Sequence, residues 1–158
     1  MSGKTEYIRN IALDDGGIRP RSPEAEHERN VAMADLRGEN QFVPADMDQC
    51  GPYDVRLAVR ENRLLFDIHS PAADKRTEVL LAVQPLRHII RDYFLICESY
   101  YEALKNAAAS KIEAIDMGRR GVHNEGSEML QTLLEGKITT DFPTARRLFT
   151  LICVLHIK

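Results

Sequence analysis

The feature that most constrains this fold is one apolar stripe that continues without a break along residues 84–104. Its nine apolar side chains recur at steps of three and four, the spacing of one helix face: Leu86, Ile89, Ile90, Tyr93, Phe94, Cys97, Tyr100, Tyr101 and Leu104. Burying one large apolar side chain contributes about 1.5–3 kcal/mol. The stripe therefore predicts a long helix from Pro85 that is the central element of the core, called here the spine helix. The side chains of the stripe are expected to be mostly buried as far as Leu104.

The segment before this helix has the pattern of a β-meander. Residues 53–60 alternate apolar and polar side chains with period two, which is typical of a strand with one solvent-exposed face. Glu61-Asn62 supplies a turn, and residues 64–68 return as the partner strand. Residues 77–83 supply a third strand after a loop.

The first third of the chain is predicted to be a strand, a helix and a loop. Residues 5–13 carry β-forming side chains and suit an edge strand, which a turn at residues 14–17 would end. Ser22-Pro23 is typical of a helix start, with a hydroxyl cap and a proline at the first helical position. That helix should end near Gly38. Residues 40–52 are expected to form a loop.

The segment after the spine helix contains an unusual set of glycines. Ser110 and Glu113 match a capping box, which predicts a helix start there. Apolar residues then recur at helical spacing as far as Gly136. Three glycines lie within this segment: Gly118, Gly121 and Gly126. These glycines would cost a helix about 2.5–3 kcal/mol relative to alanine. We expect the helix to continue unbroken, with Gly118 and Gly126 admitting a closely packed helix and the polar residues on the opposite side.

The last segment is predicted to be a short connector and a buried helix. Residues 138–140 form the connector, and Asp141 can cap a helix that has Pro143 in its first turn. From Leu148 onward the pattern is apolar almost all round, which indicates central burial. The whole chain therefore predicts a single α+β domain, with an antiparallel sheet of three or four strands packed by about four helices. Its parts are residues 1–52, a β-meander at 53–83, and a helical half at 85–158.

Composition excludes several classes of function. A net charge of -3 makes nucleic-acid binding improbable, because such proteins need a basic surface. Cys50, Cys97 and Cys153 form no close pair, so we expect free thiols, with the latter two in the core. No signal peptide or membrane-spanning stretch is recognisable. We therefore expect a cytoplasmic protein without a membrane partner. A homo-oligomer is allowed by these observations.

Several long runs resemble a family of short uncharacterised proteobacterial proteins. The resemblance rests on residues 91–103, 112–126 and 145–151, and on the shorter segments 26–29 and 51–53. It covers nearly the whole chain. The family carries no assigned activity, cofactor or site, so the resemblance implies no function.

The densest polar stretch, residues 116–125, offers three interpretations. The first is a solvated helix face with ordinary ion pairs. The second is an anion site, because arginine offers a planar donor fork that suits phosphate or carboxylate. The third is catalysis, with a nearby acid orienting His123 as a base. The candidate ligand-binding residues, which include two arginines from the last helix, are Arg119, Arg120, His123, Asn124, Arg146 and Arg147.

No motif indicates a cofactor or a metal. The glycine spacing matches neither a dinucleotide fingerprint nor a P-loop. Glu24 and His27 have the i, i+3 spacing of di-iron bundles, but no second pair of this kind follows. We therefore expect an interaction or ligand-sensing module with an anion site. The alternative is an enzyme of hydrolase or transferase type that uses His123 with the nearby arginines.

Overall fold

The computed structural model describes residues 5–14 and 23–155. Within them, strands gather before the long helices, which confirms the α+β class. The elements in chain order are β1 (Ile8–Asp14), α1 (Pro23–Gly38), β2 (Phe42–Pro44), β3 (Tyr53–Arg60), β4 (Arg63–Ser70), β5 (Lys75–Ala82), α2 (Gln84–Asn106), α3 (Ala109–Leu134), β6 (Ile138–Thr140) and α4 (Phe142–Leu155). The predicted cap at Ser22 and most of the predicted turn at residues 14–17 lie outside the described residues.

The predicted meander is confirmed as β3, β4 and β5, three consecutive antiparallel strands. Their alternate side chains meet across the strands, with Leu57 opposite Phe66 in the core. Glu61 and Asn62 form the first turn with φ angles of 52° and 64°. Two successive left-handed residues are what a tight hairpin with the natural strand twist requires.

The fourth strand, β1, joins this sheet in parallel orientation, so the sheet is mixed and the expectation of a wholly antiparallel sheet is wrong in this detail. The strand order is β1-β3-β4-β5, with Leu13 opposite Leu57. The reason is the connection: α1 lies between β1 and β3, and a helical crossover returns the chain in the same direction. The period-two pattern is identical for both orientations.

The expected loop at residues 40–52 contains regular structure. β2 pairs with β6 in a small antiparallel sheet, and a 3₁₀ turn (Ala45–Met47) follows β2. β6 is the segment that we predicted to be a connector. The rest of the loop is held by the buried Glu6 carboxylate, which accepts hydrogen bonds from the backbone N–H groups of Gln49 and Gly51.

The spine helix is confirmed as α2, but its burial is graded along its length. Leu86, Ile89, Ile90 and Tyr93 are buried, whereas Leu104 is 49% exposed. Phe94, Cys97, Tyr100 and Tyr101 are half-buried. The main neighbour of α2 is α3. The prediction of a buried Leu104 is therefore wrong.

The helix with three glycines is unbroken, as predicted, and ends before Gly136, whose φ is 78°. The predicted capping box is wrong. α3 begins at Ala109, one residue before Ser110, and no side chain caps it. Ser110 therefore lies inside the first turn, where its hydroxyl cannot act as the N-cap.

One of the three glycines marks a close approach between helices. A Cβ atom on Gly126 would lie 2.2 Å from Cζ of Phe149 in α4, whereas Gly121 has nothing within 4 Å. Gly118 is intermediate, with Ile96 Cδ1 of α2 at 2.9 Å. α3 therefore packs against two helices, α2 along one side and α4 along the other.

The last helix, α4, is the centre of the helical layer. Its start is capped as predicted, because the Asp141 carboxylate accepts a 2.9 Å hydrogen bond from the Thr144 backbone N–H. Its side chains from Leu148 to Cys153 are buried, as expected, and Leu148, Phe149, Leu151 and Ile152 are each 0% exposed, whereas Val154 and Leu155 are half-buried. α4 packs between α1, α3 and the sheet. No helix in residues 5–14 and 23–155 is long and apolar enough to cross a membrane.

Candidate functional site

The close packing of α4 leaves one cleft at its polar end, between α1, α3 and α4. The cleft has a volume of about 320 Å³. Five of the six candidate residues line it: α3 contributes Arg119, Arg120 and His123, and α4 contributes Arg146 and Arg147. Asn124 is half-buried and is not part of the lining. Residues far apart in the sequence are thus brought together by the contact between α3 and α4.

Arg119 has a fixed position in a network of carboxylates and rings. It donates to Asp116 from Nη2 at 2.7 Å and from Nε at 3.1 Å, and its Nη1 lies 3.7 Å from Glu28 of α1. Its guanidinium stacks over the Tyr100 ring at 4.7 Å. Burial is the largest single effect and disfavours the charge, but the hydrogen bonds and charge of Asp116, together with Tyr93, outweigh it and raise the pKa of Arg119. The guanidinium donors of Arg119 are therefore used in contacts within the protein.

Two further arginines have weaker or exposed partners. Arg120 pairs with Asp116 at 3.1 Å, and its side chain is 58% exposed. Arg147 lies 3.4 Å from the Asp35 carboxylate of α1. Exposed pairs of this kind contribute about 0–1 kcal/mol, so a ligand can compete for both side chains.

Arg146 differs from the other three arginines. Its Nε is buried and has no hydrogen-bond partner in the part of the chain that the structure describes. No carboxylate in the described ranges pairs with its guanidinium. A buried charged donor without a partner costs more than the 1–3 kcal/mol of a neutral one. Arg146 is thus the cleft's uncompensated cation.

His123 lies at the base of the cleft rather than on an open face. It is 8% exposed, and its ring packs against Tyr93 and Phe149 with both centroid separations at 5.2 Å. Nε2 lies 2.7 Å from the Thr150 hydroxyl, and Nδ1 has no partner among the described residues. Burial, then the charges of Arg146 and Arg119, lower the pKa of His123 to about 4. The imidazole is therefore neutral at pH 7.

The expectation that His123 lies opposite the packed side of α3 is wrong. His123, Gly126, Ser127 and Leu130 form a buried stripe that faces α4; of the three glycines, Gly126 belongs to this stripe and Gly118 faces α2. Polar His123 and Ser127 hide this stripe from a hydropathy pattern. The Ser127 hydroxyl is satisfied locally, because it donates to the His123 carbonyl at 2.8 Å.

Three residues that complete the site, Glu28, Asp35 and Thr150, were not predicted from the sequence. Glu28 accepts hydrogen bonds from the Tyr93 and Tyr101 hydroxyls at 3.0 and 3.2 Å, and it fixes α1 against α2. Asp35 and Thr150 also line the cleft. Two signals were available: acids at helical spacing on a thin apolar face of α1, and a hydroxyl inside the apolar α4.

A second concavity, on the outer face of the sheet, has a different electrostatic character. Its volume is about 530 Å³, larger than that of the helical cleft. Its arginines are paired, however: Arg56 and Arg76 lie 3.6 and 3.9 Å from Asp67. This face therefore resembles an ordinary ladder of cross-strand ion pairs. Among the described residues of this face, no arginine has a buried donor without a partner.

Metal-binding geometry is not found in residues 5–14 and 23–155, where no three His, Cys, Asp or Glu side chains cluster to hold an ion. His27 lines the arginine cleft instead of joining Glu24 in a ligand set. The thiols of Cys50, Cys97 and Cys153 are free. Cys153 is buried and Cys97 is half-buried, so the predicted core position holds fully for Cys153 alone.

Fold and cleft together define the class: an α+β protein with an arginine-lined cleft between three helices. The chain belongs to the uncharacterised protein family UPF0262, whose model matches residues 5–158. The UPF0262 protein of Brucella anthropi is 56% identical over 147 residues, which cover 93% of this chain and 91% of the relative. That of Roseobacter denitrificans is 53% identical over 153 residues, with 94% and 96% covered. No solved structure matches.

Proposed function

We propose that this protein binds a small anion in the cleft between α1, α3 and α4, as a ligand-binding module. The observation that carries the proposal is Arg146, whose buried Nε has no partner among the described residues. A phosphate or carboxylate would supply the missing acceptor through the planar guanidinium fork. The ligand would thereby offset the cost of burying that donor without a partner.

The other cleft residues support this division of roles. The network of Asp116, Arg119 and Glu28 holds α3 and α1 in register and keeps the cleft open without a ligand. Such a preformed frame reduces the ordering cost of binding. Arg120 and Arg147 lie in weak pairs and can turn to a second acceptor on the ligand.

The size of the cleft favours a metabolite over a macromolecule. A volume of about 320 Å³ is at the lower end of the range, about 300–1,000 Å³, that small-molecule sites occupy. The overall charge of -3 also offers no extended basic surface for nucleic acid. We further propose a cytoplasmic location, which the three free thiols support, since secreted domains usually pair their cysteines.

Binding has more support than the enzyme alternative. A histidine that acts as a general base needs a pKa near the working pH and commonly an orienting carboxylate. The partner of His123 is the Thr150 hydroxyl, and its pKa is lowered to about 4. Asp116 is occupied by two arginines instead.

The test is a comparison of melting temperatures in phosphate and in chloride at equal ionic strength. Wild-type protein should melt higher in phosphate, because a ligand that binds only the folded state stabilises it by mass action. Arg146→Met keeps the apolar stem and removes the fork, so the phosphate-dependent rise should disappear. Arg91→Met, at an exposed position of α2 outside the cleft, is the matched control and should keep the rise.

The same variants separate binding from a structural role. Without phosphate, Arg146→Met should be at least as stable as wild type, since it removes a buried N–H donor that has no partner among the described residues. A large loss of stability in chloride would place Arg146 in a structural network. The proposal also fails if phosphate, sulfate and small carboxylates all leave the wild-type melting temperature unchanged.

A further inference from the structure

The arginine cleft contains a second unsatisfied atom, and it decides what kind of anion fits. Nδ1 of His123 is buried and has no partner among the described residues. The side chain is 8% exposed and lines the same cleft as Arg146. The cleft is therefore lined by two residues that each have an unsatisfied hydrogen-bonding atom: Nε of the Arg146 guanidinium and Nδ1 of the His123 imidazole.

The hydrogen bonds of Thr150 indicate which imidazole nitrogen carries the proton. The Thr150 hydroxyl lies 2.7 Å from His123 Nε2 and 3.2 Å from the Arg146 carbonyl oxygen. The carbonyl can only accept, so the hydroxyl donates its one proton to it. Nε2–H then donates to the hydroxyl oxygen. The opposite tautomer would make one hydrogen bond with the same atoms instead of two.

Nδ1 therefore carries a lone pair that no described residue satisfies, on a ring that lines the cleft. A lone pair accepts a hydrogen bond and cannot donate one. An oxygen without a proton would meet it as one acceptor facing another, which leaves both unsatisfied.

We infer that the cleft selects anions that also donate a hydrogen bond, such as hydrogen phosphate or a hydroxy acid, over fully ionised anions such as sulfate. The anionic oxygens bind Arg146, and the ligand's hydroxyl donates to His123 Nδ1. This inference rests on the proposed anion-binding function and specifies its substrate class. Hydrogen phosphate carries its own hydroxyl, whereas a hydroxy acid carries it on carbon. The two sources share one chemistry.

Two matched pairs of probes test the inference on wild-type protein by titration calorimetry. Phosphate and sulfate are similar in size, and at neutral pH only phosphate keeps a hydroxyl. Glycolate and acetate differ by one hydroxyl on carbon. A buried unmatched acceptor reduces affinity about tenfold or more, so each donor-bearing probe that the cleft accepts should bind at least that much tighter. Preference within the first pair alone assigns the hydroxyl to a phosphate group, and within the second pair to a hydroxy acid.

Thr150→Val supplies the control within the site. It removes the hydroxyl that holds the proton on Nε2, so Nδ1 can carry the proton and donate to sulfate. The phosphate-to-sulfate preference should shrink, while Arg146 continues to bind both anions. Nitrogen-15 chemical shifts of the His123 ring report the tautomer directly. In wild type we expect Nε2 to be protonated and Nδ1 to be unprotonated.

The possible outcomes distinguish the inferred selectivity for hydrogen-bond donors from the proposed anion binding on which it rests. Equal affinity for phosphate and sulfate, with glycolate equal to acetate, would overturn the selectivity and leave anion binding intact. That result would mean that Nδ1 is satisfied within the protein, most simply by Arg146. A protonated Nδ1 in wild type would overturn it as well. If none of the four anions binds, both the inference and the proposed function fail.

Discussion

Replacing Gly126 by alanine should destabilise the protein, although alanine is the better helix former. The new Cβ would lie 2.2 Å from Phe149 Cζ, against a normal carbon–carbon contact of about 3.5–4.0 Å. Phe149 is 0% exposed, and its ring is enclosed by Tyr93 and His123, so it has no space to retreat. The overlap exceeds 1 Å, which places the substitution at the costly end of overpacking.

The expected magnitude follows from two opposing terms. Overpacking costs about 1–3 kcal/mol, and the close contact here indicates the upper limit. Alanine recovers about 1 kcal/mol of helix propensity. The net loss should be about 2 kcal/mol for Gly126→Ala. Gly121→Ala is the matched control on the same helix, because its Cβ meets nothing within 4 Å and the position is exposed.

Urea unfolding measures both variants against wild type. Gly121→Ala should raise the free energy of unfolding by about 0.8–1 kcal/mol, through helix propensity alone. The two alanines should therefore differ by about 3 kcal/mol, with unchanged m-values. If both variants are stabilised to the same extent, α4 does not approach α3 at Gly126, and the account of the glycine helix is refuted.

Three further predictions concern side chains whose burial the structure defines. Leu104→Ala should cost less than about 1 kcal/mol in urea unfolding, because the side chain is 49% exposed; a loss above 2 kcal/mol would contradict that exposure. Cys153 should resist thiol reagents until the protein unfolds, since it is 2% exposed and burial raises its pKa; rapid labelling would contradict this. His123 is buried neutral, so its contribution is complete above pH 6.5 and is lost as the pH falls towards 4. Urea unfolding should show a loss of up to about 3 kcal/mol in that window, which His123→Gln should flatten; an unchanged slope would contradict the shift.

Local patterns predicted the elements of this fold well. The bounds of β3 and α1 matched because period-two alternation and helix-end signals lie within the elements themselves. The parallel pairing of β1 was missed because the alternation is the same for both orientations. The β2–β6 pair was missed for another reason: two strands of three residues, whose central residues Val43 and Thr139 are 96 positions apart, carry no local signal.

The same limit applies to the candidate site: local patterns predicted individual residues, but not which of them lie together in the folded protein. Arg119 and Arg120 were found from the polar density of one helix, and Arg146 and Arg147 from a basic pair on another. Their convergence on one cleft depends on how α3 packs on α4, which the sequence does not state. The burial of His123 was missed because a polar residue on a packed helix face weakens the very pattern used to detect it.

The most direct test of the central claim is to locate the anion on the protein during a phosphate titration followed by nuclear magnetic resonance. The account predicts saturable shifts of the Arg146 side-chain Nε–H and of backbone amides beside the cleft in α3 and α4. The outer sheet face around Arg56 and Arg76, whose charges are paired, should stay unchanged. Saturable shifts confined to that face, or no saturable shift at Arg146 with phosphate and again none in a repeat titration with glycolate, would contradict the claim that this cleft binds an anion.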